Sequence, residues 1–371
     1  MKIGLLGFGT VGQGVYELTR DREDIQVVAV CCRRARTIPG VTVTHDFQDI
    51  VNDPTIDTVV EAIGGLHPAL EYVQAAMHAG KNVVTANKAL VACFYDTLLP
   101  LSQACGVRLR CTASVGGGIG WLSELERVRR IETVRYVGGI MNGTCNYILD
   151  AMTRLGLGYD EALAQAQSLG YAEADPSTDV DGIDTWHKLI VSANVAFGVS
   201  LTISDIPAAG IRNIRKEDVD AFRARGLTCK LVSTGKHQGG VFSAYVQPTL
   251  FTQEALEAHV PSNYNLIALE GNVSGRQSFF GQGAGRYPTA YNVVQDCVDL
   301  MNGGGFYSPY GEKVPIVNQE KLCYYIRGEY TQAAAERWGS AVITPPITVA
   351  EAHAWLAAHP DGFLAALPNR R

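Results

Sequence analysis

The 371-residue chain contains no run of about 18 apolar residues, the length a bilayer-spanning helix needs. It has no low-complexity tract, and 47% of its residues are apolar against 18% charged, which excludes a disordered chain and favours packed cores. Positive charge is not in excess: 31 basic residues stand against 37 acidic ones, for a net charge of −6. That balance argues against nucleic acid or an anionic membrane as a bulk partner, though not against a basic pocket for one phosphate. Nine cysteines are scattered with no CxxC and no Cys/His cluster at metal-ligand spacing. They read as buried thiols in a reducing compartment, with a cytoplasmic location as the corresponding expectation.

What is present is alternation. The N-terminus MKIGLLGFGTVG has the outline of a short signal peptide, but glycines interrupt it and no small-residue cleavage site follows. It reads instead as a strand, Lys2–Leu6, a glycine turn, and a helix through Val11–Thr19. Further strands are expected at Ile25–Cys32, Asp57–Ile63, Lys81–Thr85 and Val107–Ala113, with helices at Pro68–His78 and Tyr95–Cys105. Continuous apolar strands separated by helices predict βαβ units and a doubly wound parallel sheet covered on both faces. After about residue 130 the pattern changes to a strand at Val134–Ile140 that ends in Asn142-Gly143. Helices follow at Asn146–Leu155, Asp160–Leu169 and Asp184–Ala196, then β segments between Gly240 and Phe280. A helix from about Pro288 to Met301 stops at Gly303-Gly304-Gly305, and beyond it KLCYYIR reads as a strand and Val349–Ala358 as a helix. The fold class is α/β: a Rossmann-like nucleotide domain at 1–130 and a second α+β substrate and dimerisation domain at 131–287. A C-terminal segment, 288–371, is expected to return to the nucleotide domain.

Gly7-Phe8-Gly9-Thr10-Val11-Gly12 follows a strand and opens a helix, the context in which GxGxxG carries meaning. Gly7 permits the tight turn, Gly9 lets the backbone approach a pyrophosphate, and Gly12 allows close packing of helix on strand, with phosphates at the helix N-terminus. The second strand ends in Cys31-Cys32-Arg33-Arg34 and no acidic residue stands there for a ribose 2′-hydroxyl. Arginines suit the extra phosphate of NADP, so NADP is expected, with NAD still open.

The densest chemistry is GYAEADPSTDVDGIDTWHK, residues 170–188. A helix is expected to start near Gly182-Ile183 with Asp181 available as its cap. Asp184 and Lys188 are then at i, i+4 and share a face. A lysine held beside carboxylates in a cleft can pass a proton to or from a substrate oxygen. The same spacing also describes a surface ion pair worth about 0.3–0.5 kcal/mol, and taken alone it favours that reading.

VVTANKALVA (83–92), ASVGGGI (113–119), GIMNGTCNYIL (139–149), GYAEADPSTDVDGIDTWHKL (170–189) and GQGAGRYPTA (281–290) together resemble the homoserine dehydrogenase family, in the family's order and over about residues 1–305. The resemblance implies NAD(P)-dependent interconversion of L-homoserine and L-aspartate 4-semialdehyde in threonine and methionine biosynthesis. It makes Lys188 the proton donor, Glu173 and Asp184 the carboxylates that hold the amino-acid substrate, and Lys88 a second lysine near the reacting carbon. Gly170 and Gly283 match backbone positions close to the cofactor, beside the Gly7–Gly12 loop. A sodium ion would be held by main-chain carbonyls of Thr112, Val115, Gly117 and Ile119. The family usually has Glu at the position of Thr112 and Pro at that of Gly120, and both departures weaken the ion site. The family dimerises through the second domain, and the strands at 244–280 alternate poorly, as if both faces were covered; a homodimer is expected. The last 60 residues are too short for the regulatory amino-acid-binding domain of many members, so none is expected. Two rivals stay open: another dehydrogenase of small amino acids, and a non-catalytic dinucleotide sensor, which would need none of Lys188, Glu173 and Asp184.

Overall fold

A computed structural model describes residues 1–304, 311 and 313–368. It divides into two compact units, one of Met1–Ile131, Val191–Leu201 and Gln282–Lys313, the other of Glu132–Ile190, Thr202–Gly281 and Val314–Arg371.

In the first unit, strands β1 (Lys2–Leu6), β2 (Gln26–Cys31), β3 (Thr42–Thr44), β4 (Thr58–Glu61), β5 (Asn82–Thr85) and β6 (Leu109–Arg110) form one sheet in the order β3-β2-β1-β4-β5-β6. Every pairing is parallel. Helices α1 (Thr10–Thr19), α2 (Gln48–Val51), α3 (Ala69–His78) and α4 (Lys88–Ala104) connect the strands, and α5 (Trp121–Val128) follows. The two-residue period of a strand assigns each apolar side chain to one face. Ile3, Leu5, Val60 and Val84 pack with Val15, Val293 and Cys297, while Leu6, Val59 and Val83 pack on the other side with Val73, Met77 and Leu98. Burial on both faces is why these strands are continuous β-branched runs.

Beyond β3, α2 and α5, which the sequence did not lead one to expect, two expected elements differ. Helix α4 begins seven residues before Tyr95, because the Asn87 side chain accepts from Leu90 N at 3.1 Å and caps it; Phe94 interrupts the helical geometry with φ −128° and ψ 24°. The strand expected at 107–113 shrinks to Leu109–Arg110. Asp296 Oδ2 accepts from Thr112 N at 2.8 Å and draws the chain into the turn Thr112–Ser114.

The second unit contains β7 (Val134–Ile140), α6 (Gly143–Leu155), α7 (Tyr159–Ser168), α8 (Ser177–Val180), α9 (Ile183–Phe197), α10 (Lys216–Arg223), β8 (Leu227–Gln238), β9 (Val241–Thr252), β10 (Tyr264–Gly271) and β11 (Gly275–Gln282). Helix α9 runs on into the first unit's segment at Val191. The chain returns to the first unit in α11 (Arg286–Met301), then adds β12 (Lys321–Arg327), β13 (Glu336–Trp338), β14 (Ala341–Ile343), β15 (Ile347–Thr348), α12 (Val349–Ala358) and β16 (Phe363–Leu367). The second sheet runs β11-β10-β7-β8-β9-β16-β12-β14-β13, with β15 on β12. The expected return of 288–371 to the nucleotide unit therefore describes α11 alone. From Val314 the chain belongs to the second unit, because β16 (FLAAL), buried along all five residues, inserts between β9 and β12. Strand β9 is buried along nearly its whole length, as its poor alternation implies, and β8, which no expected strand covered, is buried likewise. In β11, by contrast, half-buried and exposed positions alternate strictly. Gly305, the last residue of the expected stop after α11, lies outside the described residues. No helix among the described residues is long and apolar enough to cross a membrane.

Candidate active site

The sequence-predicted residues divide between the units. Gly7, Gly9, Thr10, Val11, Gly12, Arg33, Arg34, Lys88, the 112–119 segment and Gly283 belong to the first; Gly170, Glu173, Asp184 and Lys188 belong to the second.

In the first unit the turn after β1 is set by two glycines. Gly7 has φ +91°, and a Cβ there would stand 2.7 Å from the Ala62 carbonyl oxygen; a Cβ on Gly12 would stand 2.2 Å from the Gly7 carbonyl oxygen. The turn is therefore closed against both β4 and its own helix. At Gly9 the opposite holds: nothing lies within 4 Å of its Cβ position. Gly9 and Thr10 are exposed, Val11 is half-buried, and α1 begins with no side-chain cap and no acidic residue in its first turn. An uncapped N-terminus with its N–H groups presented to solvent fits a pyrophosphate. Arg33 and Arg34 are exposed at the end of β2, in no ion pair among the described residues, and the Arg36 guanidinium lies 5.6 Å from the centre of the Phe8 ring. Lys88 is the first residue of α4, at the carboxyl end of β5. The Asn87 amide before it donates to the Gly65 carbonyl oxygen at 2.6 Å, which ties the turns after β4 and β5 together. Glu61, at the buried end of β4, accepts from Ile63 N at 2.8 Å and Gly64 N at 3.1 Å. The Asn87 role is not marked in the sequence, because its acceptor Gly65 lies 22 residues away in the turn after a neighbouring strand. Gly283 is buried against the 112–119 segment, its carbonyl carbon 2.5 Å from where a Gly117 Cβ would be.

Two of the four carbonyls expected to hold a cation in that segment already accept from a side chain. The Asn292 side-chain amide, 1% exposed on α11, donates to the carbonyl oxygens of Gly117 and, at 3.1 Å, Ile119. The Thr112 carbonyl accepts from Val115 N at 3.3 Å.

In the second unit, Asp184 and Lys188 are buried, at 4% and 7% exposure. Lys188 Nζ lies 2.8 Å from Asp184 Oδ2 and donates to the Met141 carbonyl oxygen at 2.7 Å. Burial removes the reading as a surface ion pair. Asn142, the N-cap of α6, donates its amide to Asp179 Oδ1 at 2.6 Å and to Asp184 Oδ2 at 2.8 Å, while its own oxygen caps the helix at Cys145 N, 2.7 Å away. Burial first, and the negative charge of Asp184 second, push the Asp179 carboxyl above its ordinary value. Asp181 does not cap α9: Arg212 binds it through Nε at 2.6 Å and Nη2 at 2.8 Å. Glu173 stands exposed after α7, its main-chain oxygen accepting from Gln167 Nε2 at 3.0 Å, and no hydrogen bond or ion pair joins its carboxylate to Lys188 or Asp184. Gly170 ends α7 with φ +75° and is exposed. Asn142 and Asp179 are the residues the sequence reading passed over. The Asn-Gly pair after β7 was the available signal, since Asn before a helix is a common cap.

A parallel sheet in this order, an open glycine cradle at its first helix, and a buried lysine between a carboxylate and a carbonyl define a nicotinamide-dinucleotide-dependent oxidoreductase. Residues 7–112 match the family model described as "Homoserine dehydrogenase, NAD binding domain", and residues 121–298 that described as "Homoserine dehydrogenase". The chain belongs to the homoserine dehydrogenase family. It is 34% identical over 334 residues to the homoserine dehydrogenase of Bacillus subtilis, covering 84% of this chain and 77% of that one. To the Synechocystis enzyme it is 38% identical over 317 residues, 81% of this chain and 73% of the relative. A solved homoserine dehydrogenase structure from Thiobacillus denitrificans superposes with a TM-score of 0.88 at 30% identity, covering 99% of this chain and 98% of that one.

Proposed function

We propose that this chain catalyses the NADP(H)-dependent interconversion of L-homoserine and L-aspartate 4-semialdehyde, in the cytoplasm and as a homodimer, serving threonine and methionine synthesis. The observation that carries the reading is the buried Lys188, held at 2.8 Å by Asp184 and at 2.7 Å by the Met141 carbonyl. In the reducing direction the nicotinamide, when bound, supplies the hydride to the aldehyde carbon. Lys188 gives a proton from Nζ to the aldehyde oxygen, which becomes the hydroxyl, and takes it back in the reverse direction. Asp184 and the Met141 carbonyl aim that ammonium. Glu173 and Asp184 supply the negative charge that suits a substrate ammonium, and Lys88 is the second lysine of the site. Gly7, Gly9, Thr10, Val11 and Gly12 hold the pyrophosphate, with Gly170 and Gly283 as further backbone positions at the cofactor. Arg33 and Arg34, in no ion pair among the described residues, suit a 2′-phosphate.

The test is NADPH oxidation with L-aspartate 4-semialdehyde beside small aldehydes that lack the α-ammonium. Preference for the amino-acid aldehyde is expected. Equal turnover of the des-amino aldehydes would remove the substrate assignment while leaving the oxidoreductase class intact.

A further inference from the structure

We propose that the Asn292 amide, bonded to the Gly117 and Ile119 carbonyls, takes the place of a monovalent cation in the 112–119 segment, so that neither the fold nor turnover depends on sodium or potassium.

The carbonyl pair is a feature of the glycine-rich segment. Gly116 and Gly117 take φ +84° and +55°, which leaves the carbonyls of Gly117 and Ile119 directed at one point on α11. Asn292 occupies that point. Both neighbours are carbonyl oxygens, which only accept, so the amide must present its nitrogen to them and not its oxygen. The Ile119 oxygen also accepts from Trp121 N at 2.7 Å. A cation entering here would have to displace the amide and leave a buried NH₂ without its acceptors, the costly direction for a buried donor.

The other end of the segment is latched by the next turn of the same helix. Asp296, fully buried four residues after Asn292, accepts from Thr112 N at 2.8 Å and from Thr112 Oγ1 at 2.6 Å. Its other partner is Arg110, whose Nε is 3.2 Å from Asp296 Oδ1, whose Nη1 is 2.9 Å from Glu126 and whose Nη2 is 3.1 Å from Asp299. Positive charge is thus supplied by a guanidinium held by three carboxylates, and the Gly117 and Ile119 carbonyls are bonded by a neutral amide. Threonine at position 112, where the family usually has glutamate, belongs to this arrangement: its hydroxyl reaches Asp296.

The turnover part of the proposal rests on the function proposed above; the stability part does not. The experiment is thermal unfolding of the purified protein in sodium, potassium and tetramethylammonium chloride at matched ionic strength, with NADPH oxidation in the same salts. A specifically bound ion stabilises by mass action, so its signature is a Tm that climbs with its concentration. The expected result is one Tm in all three salts and one turnover rate. A Tm that climbs with sodium or potassium beyond the tetramethylammonium control overturns the proposal, whatever aldehyde the enzyme reduces. N292D sets a carboxylate against two carbonyl oxygens and should make the fold cation-dependent, its Tm recovering in sodium or potassium and not in tetramethylammonium. An identical salt response in N292D and the unaltered chain overturns the role given to Asn292. Should N292D fail to fold in every salt, the comparison on the unaltered chain still decides.

Discussion

The Lys188 ammonium lies 2.8 Å from Asp184 Oδ2, one helical turn earlier on α9, and both are buried. A pair that is worth little on a surface becomes a fixed, directed donor when it is desolvated and its ammonium is also held by the Met141 carbonyl. Lys188→Ala should lower kcat by about 10²–10⁴-fold, the usual contribution of general acid–base catalysis. Lys188→Arg should be nearly as damaging, because a guanidinium does not release its proton near neutrality. NADPH affinity, measured by fluorescence titration, should change little in either. Near-normal turnover in Lys188→Ala would move the assignment to Lys88.

Asn142 is expected to act on the pH profile. Its amide lies between Asp179 and Asp184 and lowers the Asp179 carboxyl, which burial and Asp184 raise. Asn142→Ala removes that donor, so Asp179 should hold its proton to higher pH. The acid limb of kcat/KM should shift upward, with kcat lowered at neutral pH. An unmoved limb would leave Asn142 with its capping role alone.

Cofactor choice is tested at the end of β2. A charge-assisted hydrogen bond is worth about 1.5–3 kcal/mol, so Arg33→Ala or Arg34→Ala should weaken NADPH by about tenfold or more and leave NADH nearly unchanged. Tighter NADH than NADPH binding in the unaltered protein would contradict the proposal.

Gly12→Ala should cost about 1–3 kcal/mol as overpacking, because the new Cβ would meet the Gly7 carbonyl oxygen at 2.2 Å. Both Tm and dinucleotide affinity should fall, since the same contact shapes the phosphate turn.

Lys230 gives a stability prediction with a definite sign. It is fully buried, donates to Asn146 Oδ1 at 2.8 Å and the Val260 oxygen at 2.7 Å, and burial lowers its pKa to about 8. The unfolded chain therefore binds more protons than the folded one between about pH 8 and 10.5, and stability from this group rises with pH across that window. Its contribution is smallest below about pH 8, where the folded lysine too must carry its charge. Tm of the unaltered protein relative to Lys230→Met should climb through that range, and a flat difference would refute the assignment.

Four strands of the first sheet, β1, β2, β4 and β5, were legible in the sequence because their signals are local, whereas the three-residue β3 and the four-residue α2 after it are too short to show a period. Apolar β-branched runs buried on both faces, helices of regular length between them, and glycines at fixed offsets after β1 each depend on neighbours a few residues away. The i, i+4 spacing of Asp184 and Lys188 was legible for the same reason. What the spacing alone left open was whether that pair is buried, and burial is what separates a proton donor from a surface ion pair. Tertiary structure alone placed FLAAL between β9 and β12, since a short apolar run does not name its partners. It also set the Asn142 amide against a carboxylate 37 residues on, and brought Asp296 to Thr112 across 184 residues of sequence. Such contacts follow from where two helices and a loop come to rest, and no periodicity along the chain encodes them.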